Sequence, residues 1–244
     1  MTKIEREDIQ IITRHSNWSE KSIDNILKKN IYSDKESWHK FLRLFFISLG
    51  VGFTTAGIIF FFAYNWADLH KFIKIGLIEG LIIISTLVIL FSKISLDIKN
   101  IILTATSILV GVLFAVFGQI YQTGANAYDF FLGWTMFITI WVFVSNYAPL
   151  WLVFITLINT TLILYSQQVA HDWSEVFVFT LLFIINILFL TTSLFGKKIN
   201  GEIKVPIWFS NLIALASVSF GTIGIVFGIF DENQTSFLLF QLSL

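Results

Sequence analysis

No lysine or arginine occurs between Lys99 and Lys197. A stretch of that length without a cation cannot coat a water-facing surface, which stays solvated through interspersed charges of both signs. On either side of it, and within it, apolar runs recur at the length of a bilayer crossing. A helix rising about 1.5 Å per residue needs about 20 apolar residues to cross about 30 Å of hydrocarbon, and its backbone groups must pair within the segment. Segments of this kind run approximately over 41–64, 72–91, 101–118, 130–146, 149–165, 175–195 and 205–230. With 56% hydrophobic and 13% charged residues, and a mean hydropathy of +0.79, the composition excludes an ordinary soluble domain. The expected fold is all-α: a polytopic bundle of about seven transmembrane helices behind a short N-terminal amphipathic helical region.

Residues 1–40 are dense in charge and lack the continuous apolar core of a secretory signal, so membrane insertion is expected to begin at the first spanning helix. Between Ile4 and Tyr32, Ile4, Ile11, Ile12, Ile23, Ile26 and Leu27 recur at roughly helical spacing, predicting two short amphipathic helices with a turn at Ser16, Asn17 and Ser19. Ser33 followed by Glu36 fits a capping box at the entrance to the first spanning helix. Pro149 and Pro206 are placed at helix starts, where a missing amide costs nothing, and a tight helical hairpin is expected around Tyr147 and Ala148. The expected organisation is a cytoplasmic region over 1–40, a membrane bundle over 41–230, and a tail or incomplete further helix over 231–244.

Short cytoplasmic loops retain Lys and Arg, which orients the bundle. With the N-terminus inside, cytoplasmic segments hold Lys3, Arg6, Arg14, Lys21, Lys28, Lys29, Lys35, Lys40, Arg43, Lys93, Lys99, Lys197, Lys198 and Lys204, leaving Lys71 and Lys74 outside. The expectation is a multi-pass protein of the bacterial inner membrane with a cytoplasmic N-terminus.

That topology puts three polar stretches on one extracytoplasmic face: Asn65, Trp66 and Asp68; Gln119 to Asp129, with Tyr121 and Gln122; and Gln167 to Trp173, with His171 and Asp172. Rich in amides and aromatics and free of cations, the middle stretch suits a neutral or cationic ligand. Asp68, Asp129 and Asp172 each precede an apolar helix, where a carboxylate caps free amides and meets the positive end of the dipole. Asp172 and Glu175 have capping-box spacing. Glu79 stands apart because it lies inside the second span, where an ionised side chain costs about 3 kcal/mol on insertion scales. It is expected to face the bundle or be protonated, with Asn159, Asn186 or Asn211 as hydrogen-bond partners. The small-residue pairs Gly52 and Ala56, Gly111 and Ala115, and Gly224 and Gly228 have the spacing that lets helices approach closely. Trp66, Trp134, Trp141, Trp151, Trp173 and Trp208 are read as interfacial anchors.

The chain has no cysteine, which excludes disulfides, thiolate nucleophiles and Cys-ligated metals. It carries no His-Glu-x-x-His, P-loop or Gly-x-Ser-x-Gly motif, so no catalytic or metal-binding set is assigned, and neither a cofactor nor a nucleic-acid partner is expected.

The run Phe61-Phe-Ala-Tyr-Asn-Trp66 and the run Phe117-Gly-Gln-Ile-Tyr-Gln-Thr-Gly-Ala125 resemble the bacterial domain of unknown function 2157 family, over approximately Ile4 to Tyr165. The resemblance implies an inner-membrane protein with a short N-terminal helical region before many spanning helices, further helices beyond the matched region being usual. It implies no activity and no site residues.

Three functions are compatible with these residues. A membrane scaffold, sensor or complex subunit, using the N-terminal helices to contact a membrane or cytoplasmic partner, demands least of individual side chains. A binding or permeation module for a small solute or ion would use the polar face and Glu79. A membrane-embedded enzyme would use Asp129, His171 or Asp172 at the outer surface.

Overall fold

A computed structural model describes residues 35–64, 69–121, 124–199 and 205–230, together with Ile11, Ser19, Lys21 to Ile23 and Leu27. Among the described residues seven helices are long and apolar enough to cross a membrane. They are α1 (Lys35–Tyr64), α2 (Lys71–Phe91), α3 (Leu96–Tyr121), α4 (Ala127–Ser145), α5 (Ala148–Gln168), α6 (Glu175–Ile199) and α7 (Ile207–Phe230). The chain divides into two compact units, Met1–Thr54 and Thr55–Leu244, with the boundary inside α1.

In the first unit, the Ser19 carbonyl accepts from the N–H of Ser22 and of Ile23, and its Oγ accepts from Ser22 at 3.3 Å, the geometry of a helix start following the expected turn. Most of the two amphipathic helices, and Ser33 of the expected capping box, lie outside the described residues. The first half of α1 carries a train of exposed rings, Trp38, Phe41, Phe45 and Phe46, with centroids 5.7, 6.1 and 5.5 Å apart. Exposed aromatic surface of this kind suits a helix solvated by hydrocarbon.

The second unit packs largely in chain order: α2 on α3, α3 on α4, α4 on α5, α5 on α6 and α6 on α7, with α5 also meeting α3 and α7. α3 is the most enclosed of the seven. Val110 of α3, Ile138 and Val142 of α4, and Leu150, Phe154 and Leu157 of α5 form the principal core. A second cluster joins Phe62, Ile78 and Val116, from α1, α2 and α3, and a third joins Ile155 of α5 to Phe209 and Ile213 of α7. Outward positions are just as apolar, because lipid rather than water faces them.

Hydroxyl side chains inside the spans donate to the carbonyl one turn back, as in Thr106 to Ile102 at 2.8 Å, Thr135 to Phe131 at 2.7 Å and Thr180 to Val176 at 2.6 Å. Each is thereby satisfied without water.

Glycine lets aromatic rings enter the α3/α4 seam. A Cβ on Gly111 would lie 2.5 Å from the Trp134 ring, one on Gly118 2.7 Å from Phe130, and one on Gly133 2.9 Å from Phe114. Trp134 Nε1 donates to the Ser107 carbonyl at 2.7 Å. Trp134 is thus an interhelical knob in mid-span rather than an interfacial anchor, and the partner of Gly111 is a ring rather than a backbone. On α7, Ser217, Gly221, Gly224 and Gly228 are buried in one stripe, with Phe183 of α6 closest to Gly221. Gly52 is exposed.

The hairpin between α4 and α5 is as tight as expected. Asn146 closes α4 in the left-handed region (φ 44°), which Asn tolerates better than most residues, and Tyr147 precedes α5, with Pro149 as its second helical residue. Burial, together with the nearby Asp97 carboxylate, pushes the Tyr147 phenol pKa up. Pro206 lies immediately before α7, its carbonyl accepting from Phe209 at 3.1 Å.

Candidate functional site

The second and third polar stretches meet at one end of the bundle. The backbone N–H of Tyr128, in the first turn of α4 and without an intrahelical acceptor, donates to Gln168 Oε1 at the end of α5, at 3.1 Å. The Tyr128 and Tyr165 rings meet edge to face at 5.2 Å, Tyr165 meets Trp173 at 5.5 Å, and Trp173 meets Phe177 of α6 at 5.0 Å. Leu69, just before α2, and Ile120, in the last turn of α3, both pack on the Phe62, Ile78 and Val116 cluster. Leu69 therefore lies at the same end.

Asp129 is committed to the backbone: its Oδ2 accepts from the Asn126 N–H at 3.0 Å, while the Asp129 N–H donates to the Asn126 carbonyl at 3.1 Å. It acts from the third position of α4 rather than from before the helix. Capping of this kind is typically worth about 1 kcal/mol. Asp172 does not cap α6. Ser174 does, its Oγ accepting from the Phe177 N–H at 3.2 Å, because Ser174 immediately precedes the first helical residue, Glu175. His171 and Asp172 are exposed in the short connection, and Gln119 and Tyr121 are exposed at the end of α3, Tyr121 lying 4.5 Å from the Phe117 ring. Asn65, Trp66, Asp68 and Gln122 lie outside the described residues.

Of the two expectations for Glu79, that of a place facing the bundle is corrected. It sits on the outward face of α2 and is exposed, whereas the flanking Ile78 is fully buried. The asparagines proposed as its partners are elsewhere. Asn159 of α5 and Asn186 of α6 are buried against each other, donating reciprocally at 3.2 and 2.9 Å, and Asn186 Nδ2 also donates to the Leu182 carbonyl at 2.8 Å. Asn211 is exposed on α7. Lys74, placed outside by charge counting, lies within α2 and is buried, while the Lys71 ammonium sits 5.3 Å from the Phe72 ring centroid.

Tyr165 and Ser174 were not singled out by the sequence reading. Tyr165 resembled any aromatic at a helix end, and only its position beside Tyr128 and Trp173 distinguishes it. Ser174 was legible in principle, as a serine directly before an acidic first turn. Among the described residues no three His, Asp or Glu side chains lie close enough to hold a metal ion.

No curated protein and no solved structure matches the chain. A family model described as "Predicted membrane protein (DUF2157)" matches residues 19–151, a narrower span than the resemblance suggested but one that includes both sequence runs carrying it. That match covers more than half of the chain, and the protein belongs to this family of membrane proteins of unknown function.

Proposed function

We propose that this protein is a scaffold or subunit of a membrane complex, its bundle over 41–230 anchoring a charge-rich cytoplasmic region over 1–40 at the bacterial inner membrane. Its partners in this reading are lipid and protein, not nucleic acid. The observation that carries the reading is the use to which the polar side chains are put. Asp129 holds a helix start, Gln168 satisfies the Tyr128 amide, and Asn159 and Asn186 satisfy each other, so these groups hold the bundle together. The N-terminal region, dense in charges of both signs, suits a charged protein face.

Deletion of Met1 to Tyr32 tests this. Membrane insertion should be retained while proteins that co-purify with the full chain are lost by tenfold or more. An unchanged set of co-purifying proteins contradicts the role given to this region.

A second reading, a site for a small neutral or cationic solute, is favoured by the aromatic convergence of Tyr128, Tyr165 and Trp173 at the outer end. It requires solute flux into liposomes that Trp173→Ala abolishes, and equal flux in both would end it.

A further inference from the structure

The outward face of α2 carries an ionisable group where lipid alone is a poor neighbour. Glu79 is the ninth residue of the helix, about 12 Å along the axis from Lys71 and about 18 Å from Phe91, which places it close to mid-bilayer. Gly76, Glu79, Gly80 and Ile83 follow one another at the spacing of a single helix face. A Cβ added at Gly76 or Gly80 would meet nothing within 4 Å, so the ridge is open to close approach by another backbone. The adjoining face is already occupied: Ile78 is fully buried in the cluster with Val116, and Ile75 and Ile82 pack on the same cluster.

We propose that this ridge docks a transmembrane helix of another protein carrying a lysine or arginine at mid-bilayer depth. The glycines admit the partner backbone, and the carboxylate meets its cation away from water. Charge decides between this occupant and a second copy of the chain. A second copy in the same orientation would set Glu79 against Glu79, while of the two lysines of α2 Lys71 lies about 12 Å away along the axis and Lys74 is buried in its own bundle. The proposal rests on the complex-subunit reading but involves a different surface from the N-terminal region.

The test uses the purified full chain in phosphatidylcholine liposomes and two dansyl-labelled polyleucine transmembrane peptides, one with a single central lysine and one without. Energy transfer from the protein's tryptophans reports binding. The lysine peptide should bind about tenfold more tightly than the all-leucine peptide. Glu79→Gln should remove that preference, and Gly80→Ile should weaken lysine-peptide binding, neither variant changing the melting temperature. Equal binding of the two peptides, or a preference that survives Glu79→Gln, overturns the proposal. So does self-association without peptide that Glu79→Gln abolishes, which would identify a second copy as the occupant. If the peptides fail while the N-terminal deletion still loses its partners, the complex-subunit reading stands without this face.

Discussion

Replacing Gly111 by valine should destabilise the bundle by about 3 kcal/mol or more, and replacing it by alanine by about 1–3 kcal/mol. The Cβ alone would lie 2.5 Å from the Trp134 ring, an indole that cannot flex away because its Nε1 is bonded to the Ser107 carbonyl at 2.7 Å. Either α3 and α4 move apart, disturbing the core around Val110 and Ile138, or Trp134 leaves its site and exposes a buried carbonyl. Unfolding in detergent, followed by the loss of helical circular dichroism, measures the effect. The costs of Gly111→Ala and Trp134→Phe should fall short of additivity, because both act on the same contact. A Gly111→Val protein that melts with the parent would show that the α3/α4 seam is not packed as described.

Asn186→Leu should cost about 1–3 kcal/mol, because it leaves the Asn159 amide without its partner in apolar surroundings. Asn159→Leu should do the same in reverse, also freeing an Asn186 amide hydrogen. The double replacement should cost clearly less than the sum of the two single ones, since two leucines remove both unsatisfied groups together. A double-mutant cycle by equilibrium unfolding in mixed micelles reads this non-additivity. If the two single costs simply add, the pair does not couple α5 to α6.

The spanning helices were legible because the bilayer demands both length and continuous apolarity, and the seven segments correspond one for one to α1 through α7. Their ends were less so. α3 begins at Leu96, ahead of the apolar run, because the turn containing Asp97, Lys99 and Asn100 is helical although polar. Apolarity reports what lies in hydrocarbon, whereas hydrogen bonding carries the helix beyond it. The convergence of the second and third polar stretches also followed from alternating helix direction. The fate of each polar side chain did not, because partner and facing are set by packing. Glu79 and Ile78 are adjacent in sequence yet on opposite sides of α2's boundary with lipid. Asn159 and Asn186 are 27 residues apart, and nothing in their local sequence pairs them. Trp134 has the composition of an interfacial anchor and the position of a core knob.

Labelling of single cysteines tests most directly the proposal that seven crossings bring the polar connections to one outer face, since the chain has no cysteine of its own. Probes at Lys29, Asn126, Asp172 and Lys198 would be treated in intact cells with a membrane-impermeant maleimide. Reaction at Asn126 and Asp172, with protection at Lys29 and Lys198, is the predicted result. Reaction at only one of Asn126 and Asp172, or at Lys29 or Lys198, would contradict it.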